Sequence, residues 1–291
     1  MLLFWETVVS GLSLGAIFAL IALGFSVVYS VLRMFNFAYG DTYMVGVFVM
    51  FSMLSAHVNL LLSFFVGVIV AGLLSTAVER FGYRRFRLSH PMMGIIVAIG
   101  VALVIRNLVV LKWGVSTQPF PQLLPQSFTV SGVQITYVQV LTFGVLIVLS
   151  VALSLFLRYT RWGRAIILVR QDMEVASMMG IPVNRVISVV YAISGVLGAV
   201  GGYLFVATYG VIDPNFGFQM TIDAFIAAVL GGIGGLGGAV VGGIALGLAQ
   251  QFVGAYISTS YETAVAFGIL VIFLLFRPNG ILGTELKGQR V

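Results

Sequence analysis

Long apolar runs without charged residues constrain this chain more than any other feature. Residues 42–78 are 37 residues without a charge, and residues 221–276 are 56 residues with only Asp223 and Glu262 as charges. A transmembrane helix needs about 20 consecutive apolar residues. The chain has 291 residues and is 8% charged, whereas soluble domains are roughly 25% charged. These values predict an all-α integral membrane protein and exclude a soluble enzyme.

We predict about eight to nine transmembrane or re-entrant helices in a single permease domain that covers residues 1–291. The segments 221–233 and 263–276 are shorter than a full span, which favours a broken or re-entrant path there. The predicted segments are Thr7–Leu32, two spans within Thr42–Val78 that meet at a hairpin tip at His57, Leu88–Ile105, Tyr137–Leu157, Ile187–Thr208, Thr221–Ile233, Gly238–Tyr256 and Thr263–Phe276.

The basic residues predict the orientation. When residues 80–87 are placed in the cytoplasm, alternate crossings put 13 of the 15 Lys and Arg residues on that side and leave Arg106 and Lys112 outside. This asymmetry follows the positive-inside rule and places the N-terminus outside. The net charge of +6 is therefore explained by orientation, and no nucleic-acid partner is expected.

Glycine is abundant and regularly spaced, with 35 residues in the chain. Small residues four apart allow transmembrane helices to pack closely. Six of the eight residues from Gly231 to Gly238 are glycine, which predicts a helix break and a hinge over 231–243, formed by Gly231, Gly232, Gly234 and Gly237. The run also contains Gly232-x-Gly234-x-x-Gly237, which matches the fingerprint of a dinucleotide-binding site. That fingerprint requires a βαβ unit around it, and here apolar membrane segments flank it, so we reject this interpretation. The four-residue pairs are Gly11/Gly15, Gly198/Gly202, Gly231/Gly235, Gly234/Gly238, Gly238/Gly242 and Gly243/Gly247.

A polar cytoplasmic segment at 158–187 predicts a short helix of about two turns. Asp172 is a good N-cap, and Glu174 suits the first turn. Gly180 suits the left-handed residue after the helix, and Pro182 prevents continuation. Val175, Met178 and Met179 form an apolar ridge, which favours docking into a groove on a partner protein. The alternative is a helix that lies on the lipid headgroups.

Polar residues near the predicted spans are few. The stretch Asn36–Asp41 is either a turn or a broken-helix element that lines the path or supports an inner gate, with Asn36 as a polar pin. Glu262, Asp223 and Arg106 lie near predicted outer ends, and Arg106 is expected to snorkel to water. Asp223 and Asp213 are candidates for contact with the solute or with the docking binding protein. Two histidines 33 residues apart and no cysteine argue against an embedded enzyme.

The spacing Glu174-x-Ala176-x-x-x-Gly180 resembles the glutamate–alanine–glycine loop of ABC importer permeases. Over essentially its whole length the chain is similar to the first permease of the branched-chain amino-acid ABC importers, the LivH type. The stretches that carry this resemblance are Gly11–Leu20, Asn36–Asp41, Thr160–Ala165, Ala176–Ile181, Ala227–Gly234 and Pro278–Gly283. Family members often have His in place of Tyr39, a basic residue in place of Asp223 and Ser in place of Gly235.

The resemblance implies a multi-pass subunit of the bacterial inner membrane that moves branched-chain amino acids inward by alternating access. The implied partners are a second homologous permease, two cytoplasmic ATPases and a periplasmic solute-binding protein. ATP and Mg would bind the ATPases, because this chain has no phosphate-loop motif, and no metal, cofactor or enzymatic activity is expected of the chain itself. Urea, short amides or other small carboxylates are alternative solutes, and an ATP-independent channel is an alternative class.

The candidate residues fall into three groups. Coupling to the ATPases is assigned to Arg164, Arg170, Asp172, Glu174, Ala176, Met178, Met179 and Gly180. The path or gate is assigned to Asn36, Tyr39, Asp41 and Asp223. The hinge is assigned to the four glycines Gly231, Gly232, Gly234 and Gly237.

Overall fold

The computed structural model describes residues 2–86, 91–121, 126–130, 132–232, 234–277 and 280–282. The helices are α1 (Leu2–Leu32), α2 (Tyr39–Ser55), α3 (Leu60–Val78) with a π-helical turn (Glu79–Tyr83), α4 (Pro91–Trp113), α5 (Tyr137–Tyr159), α6 (Arg161–Gln171), α7 (Met173–Met178), α8 (Val183–Tyr209), α9 (Phe216–Gly231), α10 (Leu236–Tyr256), and α11 (Glu262–Phe276) after a 3₁₀ turn (Thr259–Tyr261). Two antiparallel strand pairs join β1 (Gln118–Pro119) to β4 (Val211–Ile212) and β2 (Ser127–Val130) to β3 (Val133–Thr136).

Among the described residues, seven helices are long and apolar enough to cross a membrane. The α2 and α9 helices are shorter, at 17 and 16 residues. The prediction of an all-α membrane protein is therefore confirmed. The predicted fourth span, Leu88–Ile105, ended too early, since α4 continues to Trp113. The predicted span ended before the charge of Arg106, but Arg106 pairs with Asp41 inside the bundle, so the helix can continue past it.

The α1 helix is the centre of the bundle. It is apolar all round and mostly buried, as expected of a helix that neighbours surround on every side. Gly15 lies against Gly247 of α10, and Ala19 lies against Gly243, so closely that a Cβ on either of these α10 glycines would overlap α1 backbone. These contacts explain the four-residue glycine spacing in both helices, because two backbones can meet only where side chains are absent.

The outer helices face lipid. In the most apolar 18-residue stretch of each helix, 28% of the residues are buried in α4, 17% in α5 and 11% in α11. The corresponding share in α1 is 78%. Their exposed side chains are large and apolar, including Leu111 of α4, Ile147 of α5 and Leu275 of α11. A membrane provides the solvent for these surfaces.

The loops and turns between the helices lie at the two ends of the bundle. Ser30, Arg170 and Gly234 meet at one end, which is the end of the predicted cytoplasmic segment. The strand pair of Gln118 with Ile212 lies at the opposite end. His57 occupies an exposed hairpin tip with a positive φ of 57°, as the sequence predicted.

Candidate functional site

The segment between α5 and α8 folds into two helices at the end of the bundle that the basic residues predict to be cytoplasmic. The Thr160 hydroxyl accepts a hydrogen bond from the Gly163 amide at 2.9 Å and so caps α6. A Cβ on Gly163 would overlap the carbonyl oxygen of Phe156 in α5, so glycine permits the sharp turn between the two helices. Ile166 and Val169 are buried. One face of α6 therefore packs on the bundle, while its other face is exposed.

The α7 helix begins and ends where the sequence predicted. One carboxylate oxygen of Asp172 accepts hydrogen bonds from the amides of Glu174 at 2.8 Å and Val175 at 3.0 Å. At the other end Gly180 has a φ of +77°, and the Ile181 amide donates to the Ala176 carbonyl oxygen at 3.1 Å. These bonds satisfy some of the free backbone groups at both ends, so local sequence fixes where this short helix begins and ends, while burial of Ala176 holds it against the bundle.

The surface of α7 carries an apolar ridge that nothing in this chain covers among the described residues. Met178 is 77% exposed and Met179 is 66% exposed, whereas Ala176 is buried against the bundle. Arg164 and Glu174 are also exposed. A rigid, capped helix with a methionine ridge and charges at its edge suits a groove on another protein.

Arg170 is also exposed, but its guanidinium extends from α6 towards the glycine-rich segment. Its Nη2 atom lies near Gly234, within 3.7 Å of the position that a Cβ would occupy. The Gly234 amide donates to the Ser26 hydroxyl at 3.2 Å. The helix pair α6–α7 therefore lies beside the glycine-rich segment, a relation that sequence spacing did not reveal.

The glycine-rich segment breaks the helix as predicted. α9 ends at Gly231 and α10 begins at Leu236, with Gly232 and Gly234 at φ values of +104° and +87°. Ile233 lies outside the described residues, and Gly237 lies in the first turn of α10. The segment is tightly packed, because residues 280–282 cover it.

Two backbone hydrogen bonds hold that cover in place. The amides of Ile281 and Leu282 donate to the carbonyl oxygens of Leu230 at 2.9 Å and Gly231 at 3.0 Å. They satisfy carbonyl groups at the C-terminus of α9 that have no partner within the helix. If α9 moves relative to α10, these bonds must either break or move residues 280–282 together with α9.

The stretch Asn36–Asp41 forms a turn that leads into a helix beginning inside the bundle. The Tyr39 hydroxyl lies 3.1 Å from the Ile21 carbonyl oxygen and 3.3 Å from that of Ser194. Ile21 lies about three helical turns from the inner end of α1. The stretch is therefore a turn before a helix that starts inside the bundle, while its predicted role in lining the path or supporting a gate stays a prediction.

The polar side chains of this stretch are buried and paired. The Tyr83 hydroxyl donates to Asn36 Oδ1 at 2.7 Å. Arg106 donates through Nε and Nη2 to the two oxygens of Asp41 at 3.0 and 3.1 Å. Its guanidinium also lies 4.8 Å from the centre of the Phe218 ring.

The expectation that Arg106 snorkels to water is therefore wrong. Asp41 is fully buried and Arg106 is 19% exposed, and theirs is the one ion pair found in the described ranges. The two residues lie 65 positions apart, so no local signal links them. A buried charge must be paired, but sequence alone does not name the partner.

A cavity of about 270 Å³ opens towards the outer end between α1, α8, α9, α10 and α11. Asp223 lines it and accepts a hydrogen bond from Gln250 at 2.8 Å. Tyr209 and Glu262 also line it, and Phe18 contributes an apolar wall. Sequence reasoning noted Asp223 and Glu262 as rare charges but missed Gln250 and Tyr209, because ordinary amide and phenol side chains carry no distinctive spacing.

Sequence reasoning also missed Glu79. It is 1% exposed and accepts a hydrogen bond from the Ser188 hydroxyl at 2.7 Å. The π-helical turn at the end of α3 rotates it towards α8. No sequence signal marked this turn.

Residues 7–274 match the family model described as "Branched-chain amino acid transport system / permease component". The chain is 37% identical to the high-affinity branched-chain amino acid transport system permease protein BraD of Pseudomonas aeruginosa, over 96% of this chain and 95% of that protein. It is also 37% identical to the corresponding permease protein LivH of Escherichia coli K12, over 97% and 96% of the two chains.

A solved structure with a similar fold is PsaBC from Streptococcus pneumoniae in complex with Fab. Its TM-score is 0.54 at 12% identity, with 96% of this chain and 93% of that chain covered. This likeness concerns the fold alone. The family match covers nearly all of the described helices, and the two relatives match end to end. The chain therefore belongs to the family of branched-chain amino acid transport system permease components.

Proposed function

We propose that this protein is the membrane-spanning permease of an ABC importer that carries branched-chain amino acids into the cytoplasm. The observation that carries the proposal is the near full-length match at 37% identity to BraD and LivH. The mostly apolar interior and the small outer cavity suit a small apolar solute with one polar end.

The proposed partners are a second related permease, two cytoplasmic ATPases that bind ATP and Mg, and a periplasmic solute-binding protein. The chain has no phosphate-loop motif of its own. The exposed ridge of Met178 and Met179 on α7 supports docking to an ATPase, because methionine side chains adapt well to an apolar groove. Arg164 on α6 and Glu174 on α7 are also exposed and would form charge contacts with the ATPase.

Coupling would pass through the contact between the helix pair and the glycine-rich segment. Closure of the ATPases moves α7, and α6 moves with it because the two helices are joined through Asp172. Arg170 at the end of α6 then presses on Gly234. That glycine lies between α9, which carries Asp223, and α10, which carries Gln250. Motion at the cytoplasmic end thus reaches the two residues that bond across the outer cavity.

The four path candidates take different roles in this proposal. Asp223 faces the cavity and would contact the ammonium group of the amino acid. Asn36, Tyr39 and Asp41 are buried and already paired, so they would hold the start of α2 and support the gate without touching the solute.

Co-purification followed by transport tests the proposal. The tagged chain should bring down a second permease and two ATPases, and the complex in vesicles should take up leucine only with ATP and the binding protein. Uptake of urea or acetamide in preference to leucine would reject the solute, and uptake without ATPase would reject the importer. Asp223→Asn should reduce leucine uptake without loss of the partner chains, whereas Glu6→Gln, near the start of α1 and outside the cavity, should leave uptake unchanged.

A further inference from the structure

A basic pocket lies at the cytoplasmic end of α3, away from the helix pair and the outer cavity. Arg80, Phe81, Arg84 and Arg85 line an open space of about 390 Å³. The π-helical turn Glu79–Tyr83 places them around it, and the Arg84 amide donates to the Glu79 carbonyl oxygen at 2.8 Å across five residues. Such a wide turn changes the direction of the side chains that follow, and π-turns are frequent at functional sites.

The arginines of this pocket have no carboxylate partner within the described ranges of the chain. The nearest acid in sequence, Glu79, is buried and turned towards Ser188. The ion pair that the described residues do contain is the one between Arg106 and Asp41. Within the described ranges, three guanidinium groups therefore lie at one site without a carboxylate, which favours the binding of an anion there.

The surroundings of the pocket indicate where that anion comes from. The pocket ends the apolar span Leu60–Tyr83, so it lies at the level of the inner lipid headgroups. Phe81 in its wall is 79% exposed, which is suitable for contact with an acyl chain near the headgroup. Large apolar side chains are also exposed along α3 and α4, at Phe65, Ile69, Leu73, Ile96, Ile99 and Leu103.

We propose that this pocket binds the phosphate of an anionic phospholipid of the inner leaflet. The guanidinium groups of Arg80, Arg84 and Arg85 hold the phosphate oxygens, and Phe81 with the exposed faces of α3 and α4 contacts the acyl chains. Guanidinium forks match phosphate geometry, and basic pockets at the cytoplasmic face of transmembrane helices bind anionic headgroups. The site is separate from the coupling and transport roles proposed above, and its test does not depend on them.

Spin-labelled lipids test this site directly. The full-length chain, purified with the partner chains that accompany it, is placed in phosphatidylcholine vesicles that contain spin-labelled phosphatidylglycerol or spin-labelled phosphatidylcholine. The protein should retain phosphatidylglycerol selectively. The variant R80Q/R84Q/R85Q should lose that selectivity by on the order of 10- to 100-fold, because each arginine at a membrane surface attracts anionic lipid. Equal retention of both lipids, or an unchanged variant, would overturn the proposal.

Matched variants separate the site from charge alone. R158Q/R161Q/R277Q removes three exposed arginines from the same side of the membrane and should keep the selectivity. R80K/R84K/R85K keeps the positive charge that sets the topology, and should fall between wild type and the glutamine variant because lysine lacks the planar fork. The pocket would be rejected if R80K/R84K/R85K kept the full selectivity for phosphatidylglycerol and R158Q/R161Q/R277Q lost as much of it as R80Q/R84Q/R85Q. The selectivity would then depend on net charge alone.

Two further results would identify another occupant. Inorganic phosphate at millimolar concentration should not displace the labelled phosphatidylglycerol, since a free anion lacks the acyl contacts, and displacement would make this a soluble-anion site. Loss of the partner chains from R80Q/R84Q/R85Q with unchanged lipid selectivity would make it a protein interface. Either result overturns the lipid assignment.

Discussion

The stretch Asn36–Asp41 and the helix α7 are both short and polar, yet their side chains have opposite surroundings. Asn36 and Asp41 are buried, and each is bonded to a residue on another helix. The residues of α7 that follow the Asp172 cap are mostly exposed, and its bonds are local. The difference indicates that the first stretch holds the permease together, whereas the second is free to contact a partner. Changes in the first should therefore affect folding, and changes in the second should affect transport.

The largest effect is expected from Asp41→Ala. Removal of the carboxylate leaves the Arg106 guanidinium inside the bundle without its partner, at a cost of about 3–5 kcal/mol. We expect a strong loss of folded protein, measured by thermal unfolding and size-exclusion chromatography in detergent.

A double variant provides the control for Asp41→Ala. Asp41→Ala with Arg106→Leu removes both charges and should recover part of the stability, because no unpaired charge then remains. Wild-type stability of Asp41→Ala alone would show that the pair does not hold α4 to α2.

Met179→Glu should abolish ATP-driven uptake while the permease stays folded. The side chain is exposed, so the change removes no interior contact, but it places a charge in the proposed apolar groove of the ATPase. Uptake in vesicles and thermal unfolding measure the two quantities. Met179→Leu keeps the apolar surface and should keep uptake, and normal uptake by Met179→Glu would reject the coupling role of α7.

Gly234→Ala should have an intermediate effect. A Cβ at a φ of +87° costs roughly 1–2 kcal/mol, while its nearest neighbours, Ser30 and the Arg170 guanidinium, would lie at ordinary contact distances of 3.5 and 3.7 Å. We expect uptake to fall several-fold with a modest decrease in thermal stability. Gly268→Ala is the matched control, because nothing lies within 4 Å of a Cβ there. Equal behaviour of the two variants would remove Gly234 from the proposed coupling route.

The smallest effect is expected from Asp172→Ala. It removes two capping bonds from α7, and loss of an N-cap costs about 1 kcal/mol. Because the cap is local, global stability should stay the same while the protection of the α7 amides against hydrogen exchange decreases. Asp172→Asn keeps a capping oxygen and should behave like wild type. A global loss of stability in Asp172→Ala would contradict the local character of this helix.

The fold could largely be predicted from the sequence, whereas the site could be predicted only in part. The spans, the break after Gly231 and both ends of α7 follow from apolar run length, glycine content and capping residues, all of which act over a few neighbouring positions. The partners of Asn36 and Asp41 could not be predicted, because Tyr83 and Arg106 lie 47 and 65 positions away. The contact of Arg170 with Gly234 was missed for the same reason.

The sequence by itself determined that this chain lies in a membrane, which end carries the basic residues and where a short exposed helix forms. These properties depend on transfer of side chains from water to lipid and on local hydrogen bonds, and both can be read residue by residue. Only the tertiary structure decided that Arg106 is buried on Asp41 and that Asp223 and Gln250 share a cavity. Helix packing brings distant positions together, and the cost of an unpaired polar group in lipid selects the pairs that remain.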